Sequence, residues 1–163
     1  MRRKEMEVTD PGRIDAVIRA CDCCRLGLWQ EDGVYIVPMN FGFVSEGGQR
    51  AFFFHTAPEG KKMDLLARRP RVSFELDTGH GLSEGPGACS YSYGYQCVMG
   101  QGEVRVLEDP AEKEEALQRI MEHCAGRGGW ESVSYTHLDV YKRQAQRLPS
   151  PAHGGAAGEW LRS

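Results

Sequence analysis

The segment FFFHTAPEGKK, residues 52–62, collects the side chains with the most evident chemistry in this chain. Three phenylalanines lead to an imidazole, His55, and a hydroxyl, Thr56, and after a turn the chain presents Lys61 and Lys62. A turn before a helix exposes backbone N–H groups, and a helix start carries roughly half a positive charge. Ammonium, imidazole, hydroxyl and amide donors grouped in this way predict a phosphate-binding site.

Solvated surface charge is the alternative interpretation of Lys61 and Lys62, because lysines in the first turn of a helix are usually exposed. Lysine near a helix N-terminus is, however, mildly unfavourable, which indicates that an anion compensates for it. The local pattern alone leaves both interpretations open.

Three helices and several strands must position this segment. Capping residues and apolar stripes predict helices over residues 10–23, 60–69 and 109–126. Extended runs rich in β-branched and aromatic residues predict strands over residues 25–30, 34–44, 51–56, 71–77 and 91–107, with a glycine-rich loop over 78–90.

The phenylalanine run is too apolar for a strand with one solvent-exposed face, so we expect both of its faces to be buried. Because consecutive strands are joined by hairpins without crossover helices, a doubly wound α/β sheet is disfavoured. The pattern predicts a mainly β fold, a barrel with peripheral helices.

Composition narrows the function classes. A chain of 163 residues suits one domain, and a net charge of -3 gives no attraction for nucleic acid. No apolar run is long enough to span a membrane, and no signal peptide is evident, so we expect a cytoplasmic protein. The six cysteines lack the spacing of a disulfide framework or zinc site, so we expect free thiols and no metal.

The sequence YIVPMNFGFV, together with FFFHTAPEGKKMDLLARRPRVSFELD, resembles the pyridoxamine 5'-phosphate oxidase-like flavoproteins, in particular their nitroimidazole-resistance subgroup. The resemblance covers roughly residues 1–125, and several motifs at matching separations make it specific. It implies an FMN-binding split β-barrel and a homodimer with FMN at the dimer interface.

The resemblance also implies roles for individual residues. A first group would flank the isoalloxazine ring: Val37, Pro38, Met39 and Asn40. A second group would lie along the ribityl-phosphate, with the last residue meeting the phosphate: His55, Thr56, Ala57 and Lys62. His55 is also the candidate catalytic residue, with a structural hydrogen-bonding role as its alternative. Lys61 would point elsewhere on the helix and remain surface charge.

Some residues keep two interpretations. Tyr91, Tyr93 and Tyr95 share one face of a strand, and they either line the flavin pocket or pack in a core or subunit interface. Arg25 is either an interface residue or a phosphate ligand.

The pattern changes after Trp130. We expect residues 1–130 to form the FMN-binding domain and residues 131–163 to form an atypical tail, artefactual or disordered. The stretch VSYTHLDVYKRQ resembles the ends of many unrelated metagenomic fragments, so the C-terminal barrel strand is predicted to be missing or replaced. The alternative is a genuine strand with Val133, Tyr135 and His137 on one face.

The function that the resemblance implies is an FMN-dependent oxidoreductase that reduces a small electron acceptor, such as a 5-nitroimidazole-like nitroaromatic. The cofactor would carry the electron chemistry, and no nucleophile–base pair stands out in the sequence. The alternatives are a non-catalytic flavin-binding or redox-sensing module and a pyridoxamine 5'-phosphate oxidase-type enzyme.

Overall fold

The computed structural model describes residues 7–129 and the backbone of residues 139–145 and 152–154. Within these residues the chain forms three α-helices, α1 (Pro11–Arg19), α2 (Lys61–Arg68) and α3 (Pro110–Ala125). It also forms nine strands: β1 (Glu7–Val8), β2 (Cys24–Gln30), β3 (Gly33–Met39), β4 (Gly42–Glu46), β5 (Gln49–Thr56), β6 (Arg71–Ser83), β7 (Ser92–Val106), β8 (Asp139–Ala145) and β9 (Ala152–Gly154). The fold is mainly β with peripheral helices, as predicted.

The chain divides into two compact units, which are considered one at a time. Of the described residues, the first unit holds 7–21, 76–99 and 152–154, and the second holds 22–75, 100–129 and 139–145. The hydrogen-bonded order of the strands is β3-β2-β6-β7-β8-β5-β4, with β1 and β9 paired off this path. Because β3 and β4 stand at opposite ends of the order, the sheet is not closed.

The prediction of one extended run over residues 34–44 is wrong. Two strands occupy it, β3 and β4, and they lie at opposite ends of the strand order. The break falls at Asn40 and Phe41, where the Phe41 ring is fully buried and lies 5.7 Å from the Phe52 ring. Burial of one aromatic ring turns the chain, although strand propensity continues through this point.

The phenylalanine run of β5 has both faces covered, as its composition predicted. On one face the Phe52 ring centroid lies 5.2 Å from that of Phe74. On the other face Phe53 packs with Leu107 and with Ile120 of α3. Full burial of such a side chain contributes about 1.5–3 kcal/mol, so this strand is the central packing element of the second unit.

Aspartate caps begin α1 and α3 as predicted. The carboxylate of Asp10 accepts the Arg13 N–H at 2.8 Å, and that of Asp109 accepts the Glu112 N–H at 3.4 Å. The predicted end of the first helix near residue 23 is wrong, since α1 ends at Arg19. The chain needs the next residues to reach β2, which begins at Cys24.

β6 is longer than predicted. The glycine-rich stretch over 78–90 was expected to be a loop, whereas β6 continues to Ser83 and pairs with β7. Gly79 has a φ of 66°, a left-handed conformation that glycine adopts without the steric cost of a side chain. A glycine therefore shapes a strand here, and the connecting loop is shorter than the composition indicated.

The backbone of β8 pairs antiparallel with both β5 and β7. Residues 139–145 therefore form a C-terminal strand within the stretch that departs from the expected pattern, and its origin as a replacement stays a prediction. Residues 131–138, with the strand alternative built on Val133, Tyr135 and His137, lie outside the described residues. The proposed boundary at residue 130 stays a prediction.

The six cysteines are free thiols, as predicted. Among the helices of the described residues, none has the length and apolar character that crossing a membrane requires.

Candidate functional site

The end of β5 places two polar side chains in different environments. Thr56 is 5% exposed, which makes it the one buried polar or charged side chain in the described part of the chain. Its neighbours His55 and Ala57 are exposed. The Thr56 hydroxyl is therefore shielded from solvent at the strand end, whereas the His55 imidazole is accessible to small molecules.

α2 begins without a side-chain cap, and Asp64 is the one acidic residue of its first turn. Its N-cap is Gly60, which has a φ of 124° and provides no side-chain cap. The N–H groups of Met63 and Asp64 bond to the Gly60 carbonyl, at 2.8 and 3.2 Å. The first helical N–H groups, those of Lys61 and Lys62, have no intrahelical acceptor. These open donors and the positive helix end favour an anion.

The ammonium group of Lys62 is the least ordinary feature of this helix start. Its Nζ donates to Met39 Sδ at 3.4 Å, and thioether sulfur is a weak acceptor. Burial lowers the pKa of Lys62. Within the described residues, no carboxylate forms an ion pair with this ammonium, which is therefore partly desolvated without a strong partner.

The four candidate residues at the end of β3 do not share one face. Met39 is buried and Val37 is half-buried, whereas Pro38 lies between them on the exposed opposite face. Asn40 follows the strand, and its amide donates to the Asp22 carbonyl at 3.4 Å. Of these residues, the structure brings Met39 into direct contact with the helix start.

Arg25 and two of the three tyrosines have contacts of their own. Arg25 pairs across the sheet with Glu75, at 2.9 Å between Nη1 and Oε2, so an ion pair occupies it. In the first unit, Tyr93 and Tyr95 lie near His80, with ring centroids 5.9 and 6.3 Å away.

Two contacts of the second unit were missed from the sequence. Lys61, interpreted as plain surface charge, places its Nζ 4.5 Å from the ring centroid of Tyr35. After α2 ends, the Arg69 guanidinium lies 3.7 Å from the ring centroid of Trp29. Strand alternation predicts from the sequence that Tyr35 shares a face with Met39. The distance between α2 and β3, on which the contact with Lys61 depends, cannot be predicted from the sequence.

The donor set at the start of α2 fits a phosphate ester. A phosphate dianion needs several fixed donors, and this site offers two free backbone N–H groups, a half-buried ammonium and a nearby strand end with a buried hydroxyl. A Cβ placed on Gly60 would have no atom within 4 Å, so the space directly beside this residue is open. Within residues 7–129, no cluster of metal-ligating side chains offers a competing metal site.

Comparison with known families gives an independent view of the chain. A family model described as pyridoxamine 5'-phosphate oxidase matches residues 10–147, a range that includes every candidate site residue. No curated protein matches the sequence.

Three solved structures illustrate the similarity. A candidate 5-nitroimidazole antibiotic resistance protein from Bacteroides thetaiotaomicron VPI-5482 is 31% identical, with a TM-score of 0.74 over 94% of this chain and 90% of that chain. The flavocytochrome Anf3 from Azotobacter vinelandii is 14% identical, with a TM-score of 0.69 over 100% and 86%. An FAD-binding protein from Mesorhizobium loti is 18% identical, with a TM-score of 0.61 over 90% and 96%. At these identities the last two show the fold alone, and the predicted split-barrel fold is confirmed.

Proposed function

The chain belongs to the pyridoxamine 5'-phosphate oxidase family, and from this premise we propose that it binds FMN with the flavin phosphate at the start of α2. The observation that carries the proposal is Lys62, a partly desolvated ammonium whose contact is a thioether. Partial desolvation of an ammonium without a strong acceptor is unfavourable, and an anion would offset it. A phosphate monoester supplies that anion.

The proposed ligand set follows from the same geometry. The Lys62 ammonium and the free N–H groups of the first helical turn hold the phosphate, and Thr56 contributes its hydroxyl. His55 and Ala57 lie along the ribityl chain, and Val37–Asn40 flank the ring. The side chains of Val37 and Met39 lie on one face of β3 and that of Pro38 lies on the other. The isoalloxazine ring can therefore contact the side chains of Val37 and Met39, or that of Pro38, but not all three.

We further propose that the protein is an oxidoreductase that delivers electrons to a small acceptor such as a nitroaromatic. When bound, FMN supplies the electron transfer itself. The 31% identity to the candidate 5-nitroimidazole resistance protein supports this acceptor class. The exposed His55 imidazole is the proposed catalytic group, because imidazole is a common general acid–base group and this side chain is accessible to an acceptor. A flavin-binding module without turnover is the alternative.

Binding of FMN and of riboflavin, which lacks the phosphate, tests the ligand set. Replacing Lys62 with Met is expected to weaken FMN binding by about 10- to 150-fold, from the value of a charged hydrogen bond, and to leave riboflavin binding unchanged. Dissociation constants are measured by titrating flavin fluorescence. FAD, titrated in parallel, shows whether a monoester or a diphosphate is preferred.

Two controls accompany this variant. Lys113→Met removes a positive charge on α3 and should leave both flavins unaffected. Because burial lowers the pKa of Lys62, removing its charge should not lower the free energy of unfolding. Equal losses for FMN and riboflavin, or no loss at all, would remove Lys62 from the phosphate site.

Turnover distinguishes the enzyme from the binding module. With FMN and a nicotinamide donor, the protein should reduce a nitroaromatic or a quinone repeatedly. His55→Gln should retain FMN while losing about 100-fold or more in rate, the range of general acid–base catalysis. FMN binding without turnover in the unmodified protein would favour the module, and loss of folding in the variant would favour a structural His55.

A homodimer is the proposed assembly. The outer face of the β2–β3 hairpin exposes large apolar side chains, with Trp29 46%, Val34 62% and Ile36 63% exposed, and β3 ends the strand order. Such a face is suited to a second copy of the chain. Light scattering on the FMN titration samples should give the mass of a dimer, and a monomer mass with FMN bound would contradict this assembly.

A further inference from the structure

The two lysines that begin α2 contact opposite ends of one face of β3. The Lys61 Nζ lies 4.5 Å from the Tyr35 ring centroid, and the Lys62 Nζ lies 3.4 Å from Met39 Sδ. Tyr35 and Met39 are four residues apart in the strand, so their side chains share a face and are separated by about 13 Å. The two ammonium groups are therefore splayed along the strand.

The first turn of α2 is half-buried at Lys62 and Met63, and Asp64 supplies its one carboxylate. The helix has no buried residue, and no side chain caps its start. Two adjacent ammonium groups repel each other, and both oppose the helix dipole. A side-chain contact that fixes the direction of one of these lysines therefore stabilises the turn.

We propose that Tyr35 is a positioning residue, which holds Lys61 through a cation–π contact and thereby aims Lys62 toward the phosphate position beside Met39. Successive residues of a helix differ in direction by about 100°, so holding one lysine sets the direction of the next. The inference rests on the proposed function for the identity of the ligand. The contact that carries it, between Tyr35 and Lys61, does not depend on any ligand.

The competing explanation is that Lys61 binds the phosphate as well. Two replacements of Tyr35 separate the explanations, because both keep both lysines. Tyr35→Phe retains the aromatic face that attracts the ammonium group, whereas Tyr35→Leu retains a side chain of similar burial without that face. If Lys61 were a phosphate ligand, freeing it from Tyr35 would leave FMN binding unchanged or strengthen it.

The flavin experiment measures dissociation constants of FMN and riboflavin for the two variants. Tyr35→Leu should weaken FMN binding by about 2- to 5-fold, the range of an exposed cation–π contact, with riboflavin unchanged and Tyr35→Phe like the unmodified protein. In a Lys62→Met background, Tyr35→Leu should have no further effect on FMN. An effect that persists in that background, or that is equal for riboflavin, would overturn the positioning function.

A second measurement uses the full chain without flavin. NMR titration of the lysine side chains, with the Lys62 signal assigned by its loss in Lys62→Met, follows the ammonium directly. Tyr35→Leu should release Lys62 toward solvent and raise its pKa toward the ordinary value, whereas Tyr35→Phe should not. An unchanged Lys62 pKa in Tyr35→Leu would overturn the inference even if FMN binds elsewhere. FMN that fails to bind while the pKa shifts would instead refute the proposed function alone.

Discussion

The helices α2 and α3 of the second unit begin in opposite ways. α3 starts at Asp109, whose carboxylate accepts the Glu112 N–H, and Pro110 follows. α2 starts at Gly60, without a side-chain cap, and continues with two lysines. Carboxylates stabilise a helix N-terminus and cations oppose it, so the start of α3 is stable by itself, whereas the start of α2 favours an added anion.

Packing follows the same division. α3 buries Ala116 and Ile120, and its backbone approaches β4 so closely that a Cβ on Gly42 would lie 2.6 Å from backbone atoms of Arg119 and Ile120. α2 has no fully buried residue and packs through half-buried side chains such as Leu65 and Leu66, and the Arg69 guanidinium after it lies against Trp29. The difference shows that α3 belongs to the core, whereas α2 lies at its periphery.

The cations near the two helices also differ in their partners. Around α3, Arg105 forms two hydrogen bonds with Glu112, at 2.8 and 3.0 Å, and Arg119 lies 3.2 Å from Glu122. At the start of α2, the Lys62 ammonium meets sulfur instead. Cations near α3 therefore have carboxylate partners from the chain itself, whereas the contact of Lys62 leaves its charge available to an external anion.

The largest expected effect concerns the core helix. Ile120→Ala should lower the free energy of unfolding by about 2–5 kcal/mol, because it leaves a cavity beside Phe53 and Leu107. Leu66→Ala, the matched change on the half-buried face of α2, should cost clearly less. Urea unfolding of both variants gives the two values, and equal losses would contradict the division between the helices.

A smaller effect is the pH dependence of FMN affinity. Burial lowers the pKa of Lys62, so the ammonium needed by the phosphate is present below that pKa and is lost as the pH rises through it. FMN affinity should therefore decline at a pH below the ordinary lysine value of 10.5, by at most the roughly 10- to 150-fold expected for loss of the charge.

Riboflavin and an arginine variant control this titration. Riboflavin carries the same ring, so the ratio of the two affinities removes any titration of the ring itself. Lys62→Arg should keep FMN affinity constant over the same range, because guanidinium does not deprotonate there. The pair of Arg105 in β7 and Glu112 in α3 provides a contrast, because a hydrogen bond with Glu112 raises the pKa of Arg105. The contribution of this pair to the free energy of unfolding should therefore not change between about pH 7 and 10. A flat FMN profile in the unmodified protein would contradict the assignment of Lys62.

Much of the architecture could be predicted from local chemistry. The aspartate caps, the two covered faces of β5 and the donor-rich start of α2 each depend on residues close together in the sequence. The errors arose where distant residues compete: Phe41 breaks a continuous strand pattern by burial, and pairing with β7 keeps glycine-rich residues of β6 extended.

The sequence by itself determined the donor set of the candidate site, because residue type and the polarity of a helix start follow from a few consecutive residues. Only the tertiary structure decided that Lys62 meets Met39 and that Lys61 meets Tyr35. These contacts depend on how α2 lies against the β2–β3 hairpin, and that arrangement is set by packing over the whole unit. The local sequence therefore identifies the charged groups, whereas the partner of each group depends on burial and distance in the folded protein.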